Sequence, residues 1–72
     1  MIDTELIYKN LGKKIVKLRG EKNLTQEDIA LDTGLNRAFI GYIERAERKP
    51  TIKTIARIAE ALNIELWELF KF

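Results

Sequence analysis

The sequence predicts an all-α fold built from five short helices. Apolar residues recur at intervals of three and four along most of the chain, which is the period of helices with one buried face. Helix-capping residues precede these segments, and no segment shows the alternation of a β-strand. Because the connections are only about three to six residues long, we expect one compact orthogonal bundle over residues 1–72.

The first helix is predicted from about residue 4 to residue 21. Asp3 or Thr4 can cap its N-terminus, because a short polar side chain accepts a hydrogen bond from a backbone N–H group there. The residues of its predicted buried face are Ile7, Leu11, Ile15 and Leu18. The lysines on its other faces are interpreted as a solvated surface, with contact to a polyanion as the alternative; they are Lys9, Lys13, Lys14, Lys17 and Lys22.

Two short helices separated by a tight turn are predicted next, over residues 26–33 and 36–45. Thr25 and Asp28 have the spacing of a capping box that opens the first of the pair. Gly34 is expected to end that helix, because glycine adopts a positive φ without steric cost. A turn of about three residues sets such helices at roughly 90–120° to one another, which is the helix-turn-helix arrangement.

The C-terminal part is predicted to add a fourth and a fifth helix beyond the only proline. Thr51 is expected to cap the fourth helix, and Asn63 is expected to follow it in a left-handed conformation. The predicted buried stripe of the fourth helix contains Ile52, Ile55, Ile58, Ala59 and Leu62. The short fifth helix is expected to close the core with Leu66, Leu69 and Phe70.

The composition excludes several classes of function. The chain has no Cys and no His, which excludes disulfides, zinc-finger sites and catalysis by a nucleophile with an imidazole base. We therefore expect no catalytic residue, no metal and no cofactor, and we expect no small-molecule ligand because the sequence indicates no sensor domain. No run of 18 apolar residues and no signal-peptide pattern is present, so we expect a cytoplasmic protein without a membrane partner.

The paired helices and the segments around them resemble the Cro and lambda-repressor-like regulators, often called the XRE family. The resemblance rests on LTQEDIA at 24–30, TGLNRAFIGYIERAERKPT at 33–51, and IARIAEALNI followed by LWELF at 55–70. Among relatives, the chain looks most like short stand-alone members such as restriction-modification controller proteins and small phage repressors. The resemblance implies a lambda-repressor-like domain that binds double-stranded DNA.

The resemblance implies that the third helix enters the major groove with its N-terminal half. Arg37 is the leading candidate for reading bases, because a guanidinium group can bond both O6 and N7 of guanine; a phosphate contact is the alternative. Ala38 and Gly41 are small enough to allow close approach to the bases. Tyr42 is either a DNA contact or a ring packed over the domain, and Phe39 either covers the core or meets a sugar.

Phosphate contacts are expected at helix N-termini, where backbone N–H groups and the positive end of the helix dipole converge. Thr25 and Gln26 lie at the start of the second helix, with a merely exposed Gln26 as the alternative. Asn36 lies at the start of the third helix, where its first role is capping. Basic residues at and beyond the end of the third helix are expected to hold flanking phosphates, with a solvated loop as the alternative; they are Arg45, Arg48, Lys49 and Lys53.

The resemblance also bears on how the third helix is held. The family pairs an arginine near the end of the first helix with a glutamate of the third, which implies a structural ion pair between Arg19 and Glu44. Ala46 stands where relatives usually carry glycine, so the turn there is either strained by about 1 kcal/mol or replaced by extra helix. Thr33 is polar where an apolar residue is common.

The last helix carries more apolar residues than so small a core needs. Ile64, Trp67 and Phe72 have no evident place inside, which predicts a two-fold dimer whose recognition helices lie one DNA turn, about 34 Å, apart. The alternative is that Trp67 folds back on its own subunit. The predicted function is a homodimeric, sequence-specific transcriptional regulator of near-palindromic operators, with control of its own gene as one role. The alternative function is a protein-binding antitoxin or anti-repressor module that uses the apolar C-terminal patch.

Overall fold

The computed structural model describes residues 1–72 and shows a chain without β-strands. Its elements, in order, are α1 (Thr4–Glu21), α2 (Gln26–Thr33), α3 (Arg37–Glu44), α4 (Ile52–Ala61) and a C-terminal 3₁₀ helix (Leu66–Phe70). The predicted all-α class is confirmed, whereas the fifth element is a 3₁₀ helix rather than an α-helix. A five-residue helix has almost no room for α-type hydrogen bonds, so the tighter i→i+3 pattern replaces them. No helix is long and apolar enough to span a lipid bilayer.

Each α-helix begins where a polar side chain caps it. Asp3 accepts a hydrogen bond from the Leu6 amide at 3.1 Å. Thr25 and Asp28 form the expected reciprocal capping box, with N···O distances of 2.8 and 3.0 Å. Asn36 accepts from the Ala38 amide at 2.7 Å, and Thr51 caps α4. These local hydrogen bonds explain why the predicted helix starts are confirmed.

Four residues that adopt a positive φ mark the turns. Gly34 ends α2 with a φ of 74°, and Asn63 follows α4 with a φ of 58°, both as predicted. Ala46 has a φ of 59°, which decides between the two alternatives for this position: the turn is left-handed and not extra helix. Asn23, with a φ of 56° after α1, is a left-handed residue that the pattern did not indicate.

The core lies where the buried faces of all five elements meet. Its members are Leu11, Ile15, Ile29, Ala30, Ile40, Ile43, Ile55, Ile58, Ala59, Leu62 and Leu69. The prediction that Ile52 is buried is wrong: this residue is 64% exposed, because it is the first residue of α4 and lies one turn beyond Ile55, the first residue of that stripe to reach the core. Thr33 is buried, and its hydroxyl group donates to the Ile29 carbonyl oxygen at 2.7 Å. A polar residue is therefore accommodated here without an unsatisfied group.

A close approach between two helices occurs at Gly12, in the middle of α1. This residue is buried, and a Cβ atom added to it would lie 2.7 Å from the Ile43 carbonyl oxygen and still closer to that of Glu44. These atoms belong to the backbone of α3, so they cannot rotate away. Glycine at this position therefore sets the distance between α1 and the C-terminal half of α3.

Candidate nucleic-acid interface

The outer face of α3 is open to solvent, whereas its inner face forms part of the core. Ile40 and Ile43 are fully buried, and Arg37 and Ala38 are exposed in the first turn. Asn36 is also exposed, and its side-chain oxygen is bonded to the Ala38 amide as a cap. Phe39 is half-buried and packs against the core, in line with the core-covering alternative. The helix therefore has one solvent-facing side, which is about 12 Å long at 1.5 Å per residue.

The starts of α2 and α3 are joined by their side chains. Arg37 donates from Nη1 to the Oε1 atom of Gln26 across 3.2 Å. Gln26 is half-buried and is the first residue of α2. Its Nε2 atom donates to Oε1 of Glu44 at 2.8 Å. The predicted base reader and a predicted phosphate contact therefore lie side by side and share a hydrogen bond.

The expected partners Arg19 and Glu44 are in direct contact. Nε of Arg19 lies 2.8 Å from Oε2 of Glu44, and Nη2 lies 3.2 Å from Oε1. The third guanidinium nitrogen, Nη1, donates to the Leu24 carbonyl oxygen at 3.0 Å. Only 4% of the Glu44 side chain is exposed, so removal of Arg19 would leave a nearly buried carboxylate, at a cost of about 3–5 kcal/mol. The pair ties α1 to the end of α3.

Gly41 does not lie on the open surface, contrary to its expected place among the base-reading residues. It is buried, and Nη1 of Arg45 lies 3.1 Å from where a Gly41 Cβ would stand. The Gln26 amide nitrogen lies 3.6 Å from the same point. Because these two longer side chains cover Gly41, a DNA base could reach it only if they moved aside.

Tyr42 is exposed, and two arginines lie against its ring. The guanidinium carbon of Arg45 is 5.4 Å from the ring centroid, and that of Arg48 is 5.3 Å from it. Arg45 also donates from Nε to Oε2 of Glu47 at 2.9 Å. The ring is therefore both accessible and packed, which combines the two alternatives for Tyr42. The spacing of Tyr42 and Arg45 by three residues could have indicated this contact, but Arg48 reaches the ring only through the turn at Ala46.

The remaining expected phosphate contacts differ in their freedom to bind. Lys49 forms an ion pair with Glu5, and this hydrogen bond raises the pKa of Lys49 above its ordinary value of 10.5. Lys53 is exposed near the start of α4. The backbone N–H group of Thr25 donates to Asp28 at 2.8 Å, so it is not free to bind a phosphate. The Thr25 hydroxyl oxygen accepts from the Asp28 amide at 3.0 Å, so the expected phosphate contact at Thr25 would have to come from its hydroxyl hydrogen.

The C-terminal surface is apolar at its centre and charged at its margins. Trp67 and Phe72 are each 61% exposed, so Trp67 does not fold back into its own core. Ile64 is half-buried against the core, which corrects the expectation that it has no place inside. Lysines border Trp67 on one side, namely Lys14, Lys17 and Lys71. A neighbouring groove between α4 and the 3₁₀ helix is bordered by acidic residues, namely Glu60, Glu65 and Glu68.

Comparison with known proteins identifies the family. A helix-turn-helix family model (HTH_3) matches residues 15–69. The chain is 39% identical over 59 residues to the control protein C.SmaI of Serratia marcescens, which covers 82% of this chain and 70% of that protein. The crystal structure of the restriction-modification controller protein C.AhdI from Aeromonas hydrophila matches with a TM-score of 0.85 and 38% identity, over 88% of this chain and 96% of that one.

A second controller protein is similar and was solved with its DNA. The C.Esp1396I tetramer in complex with its natural 35 base-pair operator has a TM-score of 0.83 and 35% identity to this chain, over 90% of this chain and 86% of that one. The resemblance stated from the sequence motifs is thereby confirmed. Because the family model covers most of the chain, this protein belongs to the helix-turn-helix family HTH_3, together with the restriction-modification controller proteins.

Proposed function

We propose that this chain is a homodimeric, sequence-specific transcriptional regulator that binds near-palindromic operators, as a restriction-modification controller or phage-type repressor does. The observation that carries the proposal is the open face of α3 beside the start of α2, where Arg37 and Gln26 meet. The fold similarity to a controller protein solved on its operator supports it. Residues 1–72 act as one DNA-binding domain, and control of the protein's own gene is part of the proposed role.

The roles at the interface follow from the exposed groups. Arg37 reads a guanine through the guanidinium N–H groups that Gln26 leaves free, and Ala38 lies against the neighbouring base. Tyr42 and the arginines around it meet the sugar–phosphate backbone. Phosphate contacts position the helix without reading sequence, and those of this chain come from the exposed polar groups of Asn36, Arg45, Arg48 and Lys53 and from the half-buried amide of Gln26.

The dimer is proposed to form through the C-terminal surface around Trp67 and Phe72. In a two-fold interface the same patch faces itself, so the lysines beside Trp67 of one subunit can meet the glutamates that border the groove of the other. The apolar centre is the surface that becomes buried between the two subunits, and the charged margins fix how the subunits are aligned. The two copies of α3 then lie about 34 Å apart, on the same face of the duplex.

Sedimentation analysis of Trp67→Ala tests this interface, with Leu31→Ala as the matched control. Leu31 is also an exposed large apolar residue, but it lies on α2, outside the C-terminal surface. We expect Trp67→Ala to raise the dimer dissociation constant and Leu31→Ala to leave it unchanged. Equal dimerisation of the two variants would remove Trp67 from the interface.

DNA affinity measured against salt concentration tests the function itself. For an operator binder, log K falls with log salt by about 0.9 per phosphate contact, and specific DNA is bound at least 10³-fold more tightly than random DNA. We expect both features with the DNA upstream of the protein's own gene.

Arg37→Ala should relax the base preference at one position per half-site. Lys53→Ala should instead weaken binding to all sequences alike and lower the salt slope by about 1.

The similarity to controller proteins does not favour the alternative function, for which the exposed Trp67 and Phe72 are the relevant feature. A protein-binding antitoxin or anti-repressor module would use this surface and would need little from α3. Weak binding to all duplexes at low salt, with an affinity that hardly depends on DNA sequence or salt concentration, would favour that function over operator binding. The Trp67→Ala protein must remain folded in the same experiment.

A further inference from the structure

We propose that Glu44 is a positioning residue for base reading, and that it acts on Arg37 through the side-chain amide of Gln26. This inference rests on the proposed function. Glu44 lies at the end of α3, two helical turns from Arg37, and it does not reach the open surface, since only 4% of its side chain is exposed. Its influence on DNA would therefore be indirect.

The Glu44 carboxylate is fully engaged by donors. Its Oε2 atom accepts from Nε of Arg19 at 2.8 Å, and its Oε1 atom accepts from Nη2 of Arg19 at 3.2 Å and from Nε2 of Gln26 at 2.8 Å. An ionised carboxylate can only accept hydrogen bonds. The amide of Gln26 must therefore present its NH₂ group to Glu44 and not its carbonyl oxygen.

This constraint decides which atom of Gln26 faces Arg37. With Nε2 directed at Glu44, the Oε1 atom points to the other side and accepts from Nη1 of Arg37 at 3.2 Å. A guanidinium group can only donate, so the opposite orientation of the amide would place donor against donor. Glu44 thus selects the single amide orientation that holds Arg37.

The hydrogen bond to Gln26 restrains Arg37 before DNA arrives. Arginine has five N–H donors in a planar fork, and only one of its nitrogens is engaged by Gln26. The others stay available for guanine. Because ordering a free arginine side chain on binding is unfavourable, a side chain that is already restrained should discriminate better between guanine and other bases. We expect the restraint to contribute about 3- to 10-fold to the preference at that base position.

Three variants separate this role from a structural one. Gln26→Ala removes the amide group that connects Glu44 to Arg37 and leaves the Arg19–Glu44 ion pair intact. Glu44→Ala removes the acceptor that orients Gln26, and Arg19→Ala breaks the same ion pair but leaves Glu44 to hold Gln26. Each folded variant, as verified by circular dichroism, is tested in competition assays against operators changed at one base pair at a time.

The expected result is a pattern across positions. Gln26→Ala and Glu44→Ala should lower the preference at the Arg37 position about 3- to 10-fold, and Arg19→Ala should retain it despite a similar loss of stability. The double variant Glu44→Ala/Arg37→Ala should show the same base preference at the Arg37 position as Arg37→Ala alone. Nuclear magnetic resonance of the Gln26 side-chain NH₂ protons, without DNA, should show them hydrogen-bonded in the wild type and in Arg19→Ala but not in Glu44→Ala.

Two outcomes would overturn the inference, and they differ from failure of the proposed function. Equal loss at every base position in Glu44→Ala and Arg19→Ala would mean that the pair only stabilises the fold. Unchanged preference in a folded Gln26→Ala variant would mean that Arg37 needs no support. By contrast, a wild-type protein that binds all sequences equally would refute the proposed function itself, and with it any base reading by Arg37.

Discussion

Replacing Gly12 with alanine is expected to destabilise the protein, because the added methyl group meets the backbone of α3. The new Cβ would lie 2.7 Å from the Ile43 carbonyl oxygen and 2.9 Å from the Glu44 carbonyl carbon. Real Cβ atoms essentially never approach neighbours this closely, and backbone atoms cannot rotate away as side chains do. The two helices must therefore move apart where α1 supports the end of α3.

The magnitude follows from two opposing effects. Alanine is more favourable than glycine in a helix interior by up to about 1 kcal/mol. Overpacking of a close contact costs about 1–3 kcal/mol, and the rigid backbone neighbours place this case at the upper end. A net loss of about 2 kcal/mol results, out of the roughly 4–11 kcal/mol expected for a domain of this size. For such a domain this corresponds to a fall in Tm of about 8–16 °C.

Gly20 offers a matched control on the same helix. An added Cβ there has no neighbour within 4 Å, and Gly20 does not have a positive φ. Gly20→Ala should therefore stabilise the protein by about 0.4–1 kcal/mol, chiefly by reducing the freedom of the unfolded chain. The same chemical change is thus expected to have opposite signs at two positions eight residues apart.

Thermal and urea unfolding, followed by circular dichroism at one fixed protein concentration, measure both variants. The concentration must be held constant because dimerisation makes Tm depend on it. A Gly12→Ala protein as stable as the wild type would refute the argument, since it would mean that the helices can separate without loss. Stabilisation of both variants to the same extent would show that helix propensity alone decides.

Four further substitutions test other parts of the fold. Ala46→Gly should stabilise the protein by about 1 kcal/mol or less, because it relieves the positive φ of 59°; a loss of stability in urea unfolding would contradict this. Ile52→Lys should change the free energy of unfolding by no more than about 0.5 kcal/mol, because Ile52 is exposed. Ile55→Ala, in the core, should cost about 2–5 kcal/mol. Comparable losses for the two variants would argue against the exposure of Ile52. The hydrogen bond from the Thr25 N–H group lowers the pKa of Asp28 below its ordinary value of 3.8. The contribution of this hydrogen bond to the stability of the fold is therefore complete above pH 3.8 and is lost as the pH falls through the lowered pKa. Asp28→Asn should remove this part of the acid sensitivity, and an unchanged pH profile of stability would speak against it.

The features that could be predicted from the sequence are those set by neighbouring residues. Helix starts depend on a side chain and the amide two or three residues later, so Thr25, Asn36 and Thr51 could be assigned as caps without knowledge of the tertiary fold, and the first cap could be narrowed to Asp3 or Thr4. Gly34 could be assigned for the same reason, since its positive φ serves a local turn. The Arg19–Glu44 contact came from the family resemblance and not from spacing.

The features that could not be predicted depend on where one element lies against another. Ile52 shares the helical period of the core residues, but it lies one turn beyond Ile55, the first residue of the stripe in the core, and it stays exposed. Gly41 was assigned to the open face because it has no side chain, whereas Arg45 and Gln26 cover it. Gly12 did leave a signal, because a glycine inside an 18-residue helix costs stability and often marks a close contact.

The alanine at position 46 shows how the loop and the interface are connected. Its positive φ reverses the chain after α3, with the Glu47 amide bonded to the Tyr42 carbonyl oxygen at 2.8 Å. The same turn returns Arg48 to the Tyr42 ring, where Arg45 also lies. Each such exposed contact is worth about 0.5–1 kcal/mol, which together offsets the roughly 1 kcal/mol of strain in the turn. The contacts that this turn brings together therefore compensate for the strained backbone conformation of Ala46.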